Sequence, residues 1–210
     1  MDIRPLLELA ALNLMGAMSP GPAVMLVSRT AASSKRDVAL SMASGVILGS
    51  VIWATAAVLG LQLLLTKAAA IYRLIEIAGG IYLCFIGTQV FRHASAPMPQ
   101  VQELRADRVA AFRKGLLLNL SNPKVVVFFG TVFAALFNPR TPSSERWLAI
   151  VIVFFDETLW YVTLATAFGS GPVRRIYAKI KTPAERIFGG LLGFFGARLA
   201  WSGARLQPGL

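Results

Sequence analysis

Charged residues punctuate this chain instead of alternating with apolar ones. Six long apolar runs cover residues 9–28, 38–66, 68–91, 115–138, 147–173 and 187–203. The first two carry no charge. The third has only Arg73 and Glu76 near its start, the fourth only Lys124, the fifth only Asp156 and Glu157, and the sixth only Arg198. About 20 mostly apolar residues are needed to cross about 30 Å of hydrocarbon as a helix. The pattern therefore predicts an all-α integral membrane protein of six transmembrane helices, forming a single transporter-like domain over residues 1–210. The chain opens Met-Asp-Ile-Arg and its first run then stays apolar for about 20 residues, which suits a span better than a cleaved signal peptide.

Composition agrees with this reading. Of the 210 residues 56% are hydrophobic and 15% charged, against roughly 25% charged in a soluble domain, and mean hydropathy is +0.63. That excludes disorder, a coiled coil and most soluble folds. A net charge of +11 would raise nucleic-acid binding in a soluble protein. Here 13 of the 21 Lys and Arg sit in three connections, after the first, third and fifth runs. The positive-inside rule places those connections in the cytoplasm and both termini on the other side. The charge is then an orientation signal, and no nucleic-acid partner is expected. Cys84 and His93 stand alone, so neither a disulfide nor a metal cluster is expected.

The longest connection, residues 93–114, separates pseudo-repeats 1–92 and 115–210. With three runs in each half, the second half enters the membrane in the opposite sense, as in inverted-repeat carriers. Both halves carry a helix breaker in their first run: Ser19-Pro20-Gly21-Pro22 and Ser121-Asn122-Pro123-Lys124. Gly79 and Gly80 in the third run find a looser counterpart in Gly189 and Gly190 of the sixth. Gly45 and Gly49 form a GxxxG pair, and these glycines read as helix-packing positions.

The breakers also carry the candidate chemistry. Proline removes a backbone donor and clashes with the carbonyl four residues back. Carbonyls freed at membrane depth need partners in protein or in a wet cavity. Pro20, Gly21, Pro22, Asn119, Asn122 and Pro123 therefore read as a site or hinge in preference to simple packing kinks. Asn119 lies one turn before Pro123 and is placed to serve the carbonyl opened there. Lys124 falls about 15 Å beyond Lys114 at 1.5 Å per residue. A charge at that depth costs at least about 2.5–3.5 kcal/mol, so pairing or a cavity is favoured over snorkelling. Asp156 and Glu157 need a partner or a proton for the same reason. They point about 100° apart on a helix, Asp156 on the face of Trp160 and Glu157 on that of Tyr161. A Lys124–Asp156 pair would relieve both charges. A structural ion pair and a proton-coupled or substrate-ammonium site remain equal alternatives here.

These residues resemble the LysE/RhtB family of amino-acid exporters. Ser19-Pro20-Gly21-Pro22, the Lys35-Arg36 connection with Gly45 and Gly49, Gly79-Gly80-Ile81-Tyr82-Leu83 with Gly87, and Asn119-Leu120-Ser121-Asn122-Pro123-Lys124 are similar to that family's motifs over essentially the whole chain. Asp156 and Tyr161 fall where many members carry an acid and a tyrosine. Glu76 stands where many have lysine, and Glu157 is an additional acid. The resemblance implies export of an amino acid or derivative across the bacterial inner membrane, driven by the proton-motive force. Partners would be a small-molecule substrate, a proton and the lipid bilayer, with a homo-oligomer left open. No cofactor and no enzymatic activity are expected. A membrane thiol–disulfide conductor would need at least two cysteines, and a metal exporter more ligands than two adjacent acids.

Overall fold

The computed structural model describes residues 3–19, 21–67, 69–95, 107–137, 141–168 and 171–204. Among them lie eight helices and no strand: α1 (Arg4–Met18), α2 (Pro22–Ser33), α3 (Arg36–Lys67), α4 (Ala69–His93), α5 (Arg108–Leu120), α6 (Pro123–Leu136), α7 (Ser143–Ala167) and α8 (Gly171–Ala204). Two are long and apolar enough to cross a membrane alone, α7 and the Arg36–Gly60 part of α3. Two bent pairs raise the number to as many as four: α1 with α2 at 56°, and α5 with α6 at 54°. No member of a pair spans the hydrocarbon by itself. The 15 residues of α1 reach only about 22 Å at 1.5 Å per residue. α4 nearly coincides with the third apolar run, and α8 contains the sixth.

Hydropathy and helix ends disagree at three places, for one reason: an apolar run marks contact with hydrocarbon, whereas a helix continues into the polar flank. α2 continues past Arg29 to Ser33. α5 starts at Arg108, inside the connection drawn at 93–114, because the Asp107 carboxylate accepts the Ala110 N–H at 2.7 Å and caps it. α8 runs straight through the basic stretch 174–186, with Pro183 inside it. Lys181, assigned by its charge to a cytoplasmic loop, is consequently a buried residue of α8 with 7% exposure. At the polar entry to α3, Arg108 forms an exposed ion pair with Asp37, and exposed pairs contribute little.

Apolar side chains face outward as well as inward, and a few polar ones, Ser50, Asn119 and Glu157 among them, are buried. On α7 Leu148, Val151, Phe155, Leu159 and Val162 recur at three- and four-residue spacing and are exposed, while Glu157 and Tyr161 on the same helix are buried. On α8 the exposed Ile180, Ile187, Phe194 and Trp201 fall seven apart on one stripe, opposite the buried Phe188, Leu192, Phe195 and Leu199. Such faces suit lipid, which is as apolar as the side chains themselves.

Small residues let these helices approach closely. A Cβ at Gly45 would overlap the Phe112 carbonyl, and one at Gly115 the Met42 carbonyl, so α3 and α5 touch backbone to backbone. α4 and α8 do the same: a Cβ at Gly80 would lie 2.5 Å from the Gly196 carbonyl, and one at Gly87 2.6 Å from that of Gly189. Gly79 meets Thr131 of α6, and Gly49 leaves room for Asn119. Overpacking a tight contact costs about 1–3 kcal/mol. Gly45→Val is therefore expected to lower the thermal midpoint in detergent by several degrees. Gly190→Ala, which meets open space, should leave it within about a degree; a fluorescence-detected melting series compares them.

Candidate functional site

Each bent pair ends one helix and starts another with a proline in the first turn. In the second, Ser121 closes α5, Asn122 caps α6 by accepting the Lys124 N–H at 3.1 Å, and Pro123 opens the new helix, where its missing N–H leaves no bond unmade. In the first, Ser19 closes α1 through its N–H to the Met15 carbonyl at 3.0 Å, Gly21 is the extended residue before α2, and Pro22 opens it. Pro20 lies outside the described residues.

The fold brings the two breaks together. Lys124, on the first turn of α6, donates from Nζ to Ser19 Oγ at 3.2 Å. A Cβ at Gly21 would lie 4.0 Å from the same nitrogen. The ammonium also sits 5.5 Å from the ring centroid of Phe188 on α8, within the range of a cation–π contact.

A second polar chain descends from α3 and α7. Ser50 Oγ donates to Glu157 Oε2 at 2.8 Å, and Asn119 Nδ2 donates to Ser50 Oγ at 3.1 Å. Ser50, Asn119 and Glu157 are buried at 2%, 2% and 5% exposure, so this chain is shielded from lipid and bulk water. The Asn119 Oδ1 is buried and accepts no hydrogen bond. A buried acceptor left unpaired costs about 1–3 kcal/mol and is the kind of atom a ligand donor or a water satisfies.

Between these groups lies a cavity of about 50 Å3, lined by Ser19, Gly21, Asn119, Asn122, Lys124, Glu157 and Tyr161 on its polar side and by Phe128 and Phe129 on its apolar one. At about 10–15 Å3 per water it has room for about three to five waters.

Six of the residues singled out in the sequence thus meet here: Gly21, Asn119, Asn122, Lys124, Glu157 and Tyr161. Pro22 is exposed beside it. Pro123 contributes the backbone of the break. Asp156 does not line the cavity and does not pair with Lys124. Its carboxylate accepts a long bond, 3.4 Å, from Asn13 Nδ2 on α1. The 100° step between neighbours turned Glu157, not Asp156, inward. Nor does the Asn119 amide serve the carbonyl at the proline break; it turns across to α3, where Gly49 admits it. The side chains of Arg73 and Glu76 lie outside the described residues.

Sequence reasoning missed Asn13, Ser19 as an individual ligand, Ser50, Phe128, Phe129 and Phe188. Asn13 had a signal, being the sole amide in the first apolar run. Ser50 had almost none, because serine is common in membrane helices and only the facing Glu157 makes it notable.

Comparison with known proteins bears on what such a cavity does. The sequence model of the LysE type translocator family matches residues 14–203. The threonine efflux protein of Escherichia coli K12 is 35% identical over 199 residues, covering 92% of this chain and 96% of that protein. The threonine efflux protein of Salmonella typhi is 33% identical over 196 residues, covering 90% and 94%. The homoserine/homoserine lactone efflux protein of Salmonella typhimurium is 26% identical over 193 residues, covering 88% and 90%. No solved structure matches the chain.

Proposed function

The chain belongs to the LysE type translocator family, and from that premise we propose that it exports a small zwitterionic amino acid, of the threonine or homoserine kind, across the bacterial inner membrane. Membrane transport and amino-acid efflux are the family's business; the substrate, the coupling and the topology are our reading. One observation carries it: the two helix breaks converge on a cavity lined by a half-buried cation, Lys124, and a buried acid, Glu157.

The substrate carboxylate would take the place of Ser19 at Lys124 Nζ, with the N-terminal ends of α2 and α6 adding the positive ends of their dipoles. The ammonium would lie toward Glu157 and the open Asn119 Oδ1. Gly21, Asn122 and Tyr161 complete the wall, and Phe128 and Phe129 offer a surface for a short side chain. A substrate hydroxyl suits Ser50 or Asn122. Because the cavity of about 50 Å3 has room for only a few water-sized molecules, loading requires it to widen. This fits alternating access between two inverted three-helix units, residues 1–92 and 115–210, that give six spans and leave both termini outside the cytoplasm. Export against a gradient needs an energy source, and the proton-motive force supplies it in this reading.

The test is efflux from cells preloaded with radiolabelled threonine, homoserine, lysine and leucine, with and without a protonophore. Threonine or homoserine is expected to leave several-fold faster from expressing cells, and the protonophore to remove the difference. Equal efflux with and without the protein, for every amino acid tried, refutes the assignment.

A further inference from the structure

A second charged cluster lies outside the cavity. On α8, Lys181 Nζ stands 3.2 Å from Glu185 Oε2, and both side chains are buried. Lys181 also donates to the Ala94 carbonyl, just beyond the end of α4, at 3.0 Å. The pair borders a second, mostly apolar cavity of about 190 Å3 beside Met15 and Met18. Ser19 belongs to the walls of both cavities, and Ser19 accepts the Lys124 hydrogen bond. Phe188, whose ring underlies Lys124, follows Glu185 by three residues and shares its face of α8. Glu185 and Lys124 thus each share a cavity wall with Ser19.

Two details make this pair loose on one side. Glu185 Oε2 meets Lys181 at ion-pair distance yet accepts no well-aligned hydrogen bond. Lys181 has the Ala94 carbonyl as a further partner, so it keeps a hydrogen bond if Glu185 departs. The contacts of Lys124 among the described residues are, in contrast, a neutral hydroxyl and an aromatic ring. A lysine at membrane depth with no counter-charge is costly. In a carrier that returns empty, that cost recurs in every cycle, since the substrate carboxylate is no longer there.

We propose that Glu185 is a positioning residue of the transport cycle: in the empty carrier it leaves Lys181 for Lys124 and neutralises the charge that the substrate carboxylate neutralises in the loaded one. Ser19, standing between the two cavities, is the contact that yields. This rests on the reading of the first cavity as an amino-acid site. It predicts that Glu185 matters for the empty return and not for the loaded passage.

Reconstituted protein in liposomes, loaded with radiolabelled threonine, separates the two. Net efflux into amino-acid-free buffer requires the empty return, whereas exchange against external threonine does not. Glu185→Gln is expected to slow net efflux at least tenfold and to leave exchange within twofold. Glu185→Asp should recover part of the net rate. Lys181→Met leaves Glu185 with Lys124 as its counter-charge, so its ratio of net efflux to exchange should equal or exceed that of the unaltered protein. A static structural pair predicts otherwise: both replacements would strand a buried charge and depress both rates together. Equal loss of exchange and net efflux in Glu185→Gln, or no loss of either, overturns the proposal. If Glu185→Gln does not reach the liposomes, Lys181→Met decides alone, a lowered ratio counting against the proposal. An unaltered protein that neither exchanges nor releases any amino acid overturns the functional reading, and this proposal with it.

Discussion

Lys124→Met is expected to reduce the initial rate of amino-acid efflux by about 10- to 100-fold at matched membrane abundance. The size follows from what the ammonium does. A hydrogen bond to a charged group contributes about 1.5–3 kcal/mol, and each 1.4 kcal/mol is a factor of ten. Methionine keeps most of the apolar stem while removing the charged tip that lies over Phe188, so abundance should hold and the substrate carboxylate should lose its partner. Arginine is not expected to rescue. Its planar fork is wider than an ammonium, and the available space is bounded by Ser19 Oγ at 3.2 Å and by the Gly21 backbone. Efflux from preloaded proteoliposomes measures this directly. Near-normal efflux in Lys124→Met would remove the lysine from the site.

The second large effect is asymmetric between two neighbouring acids. Glu157→Gln should slow efflux by about tenfold or more, whereas Asp156→Asn should change it by less than about threefold. Glutamine can still accept the Ser50 hydrogen bond seen at 2.8 Å, so the replacement removes the charge and keeps the geometry. What is lost is the counter-charge to the substrate ammonium, again about 1.5–3 kcal/mol. Asp156 sits half-buried between α1 and α7 on a 3.4 Å contact with Asn13, and a bond that long contributes little. The contrast is best read as a split in concentration dependence. Loss of the ammonium partner raises the substrate concentration needed for half-maximal efflux, while a packing defect lowers abundance. A larger defect in Asp156→Asn than in Glu157→Gln would reverse the assignment.

Much of the architecture is legible without coordinates. Apolar runs of membrane length, the two proline breakers and the isolated lysine at depth all follow from local rules: hydrocarbon thickness, the missing proline N–H and the cost of a buried charge. The glycine positions are legible as packing signals for a similar reason, since only a residue without Cβ lets two helix backbones touch. What hydropathy misplaces are helix ends. α5 and α8 extend into charged sequence because capping by Asp107, and not apolarity, decides where a helix starts, and because Lys and Arg are good helix formers.

The chemistry of the site divides differently. By itself the sequence determined which side chains would be expensive in a membrane: Lys124, Asp156 and Glu157 stand out against their apolar neighbours whatever the fold. Only the tertiary structure decided where that expense is met. It turned Glu157 toward Ser50 and Asn119, left Asp156 at a helix interface, and gave Lys124 the hydroxyl of Ser19 in place of the expected carboxylate. It also drew Lys181 out of a presumed loop into a buried pair with Glu185. The physical reason is that burial cost is a property of one residue in one solvent, readable locally. A partner is a property of two helices whose rotation about their axes is set by close-packed contacts such as Gly45 on Phe112 and Gly80 on Gly196.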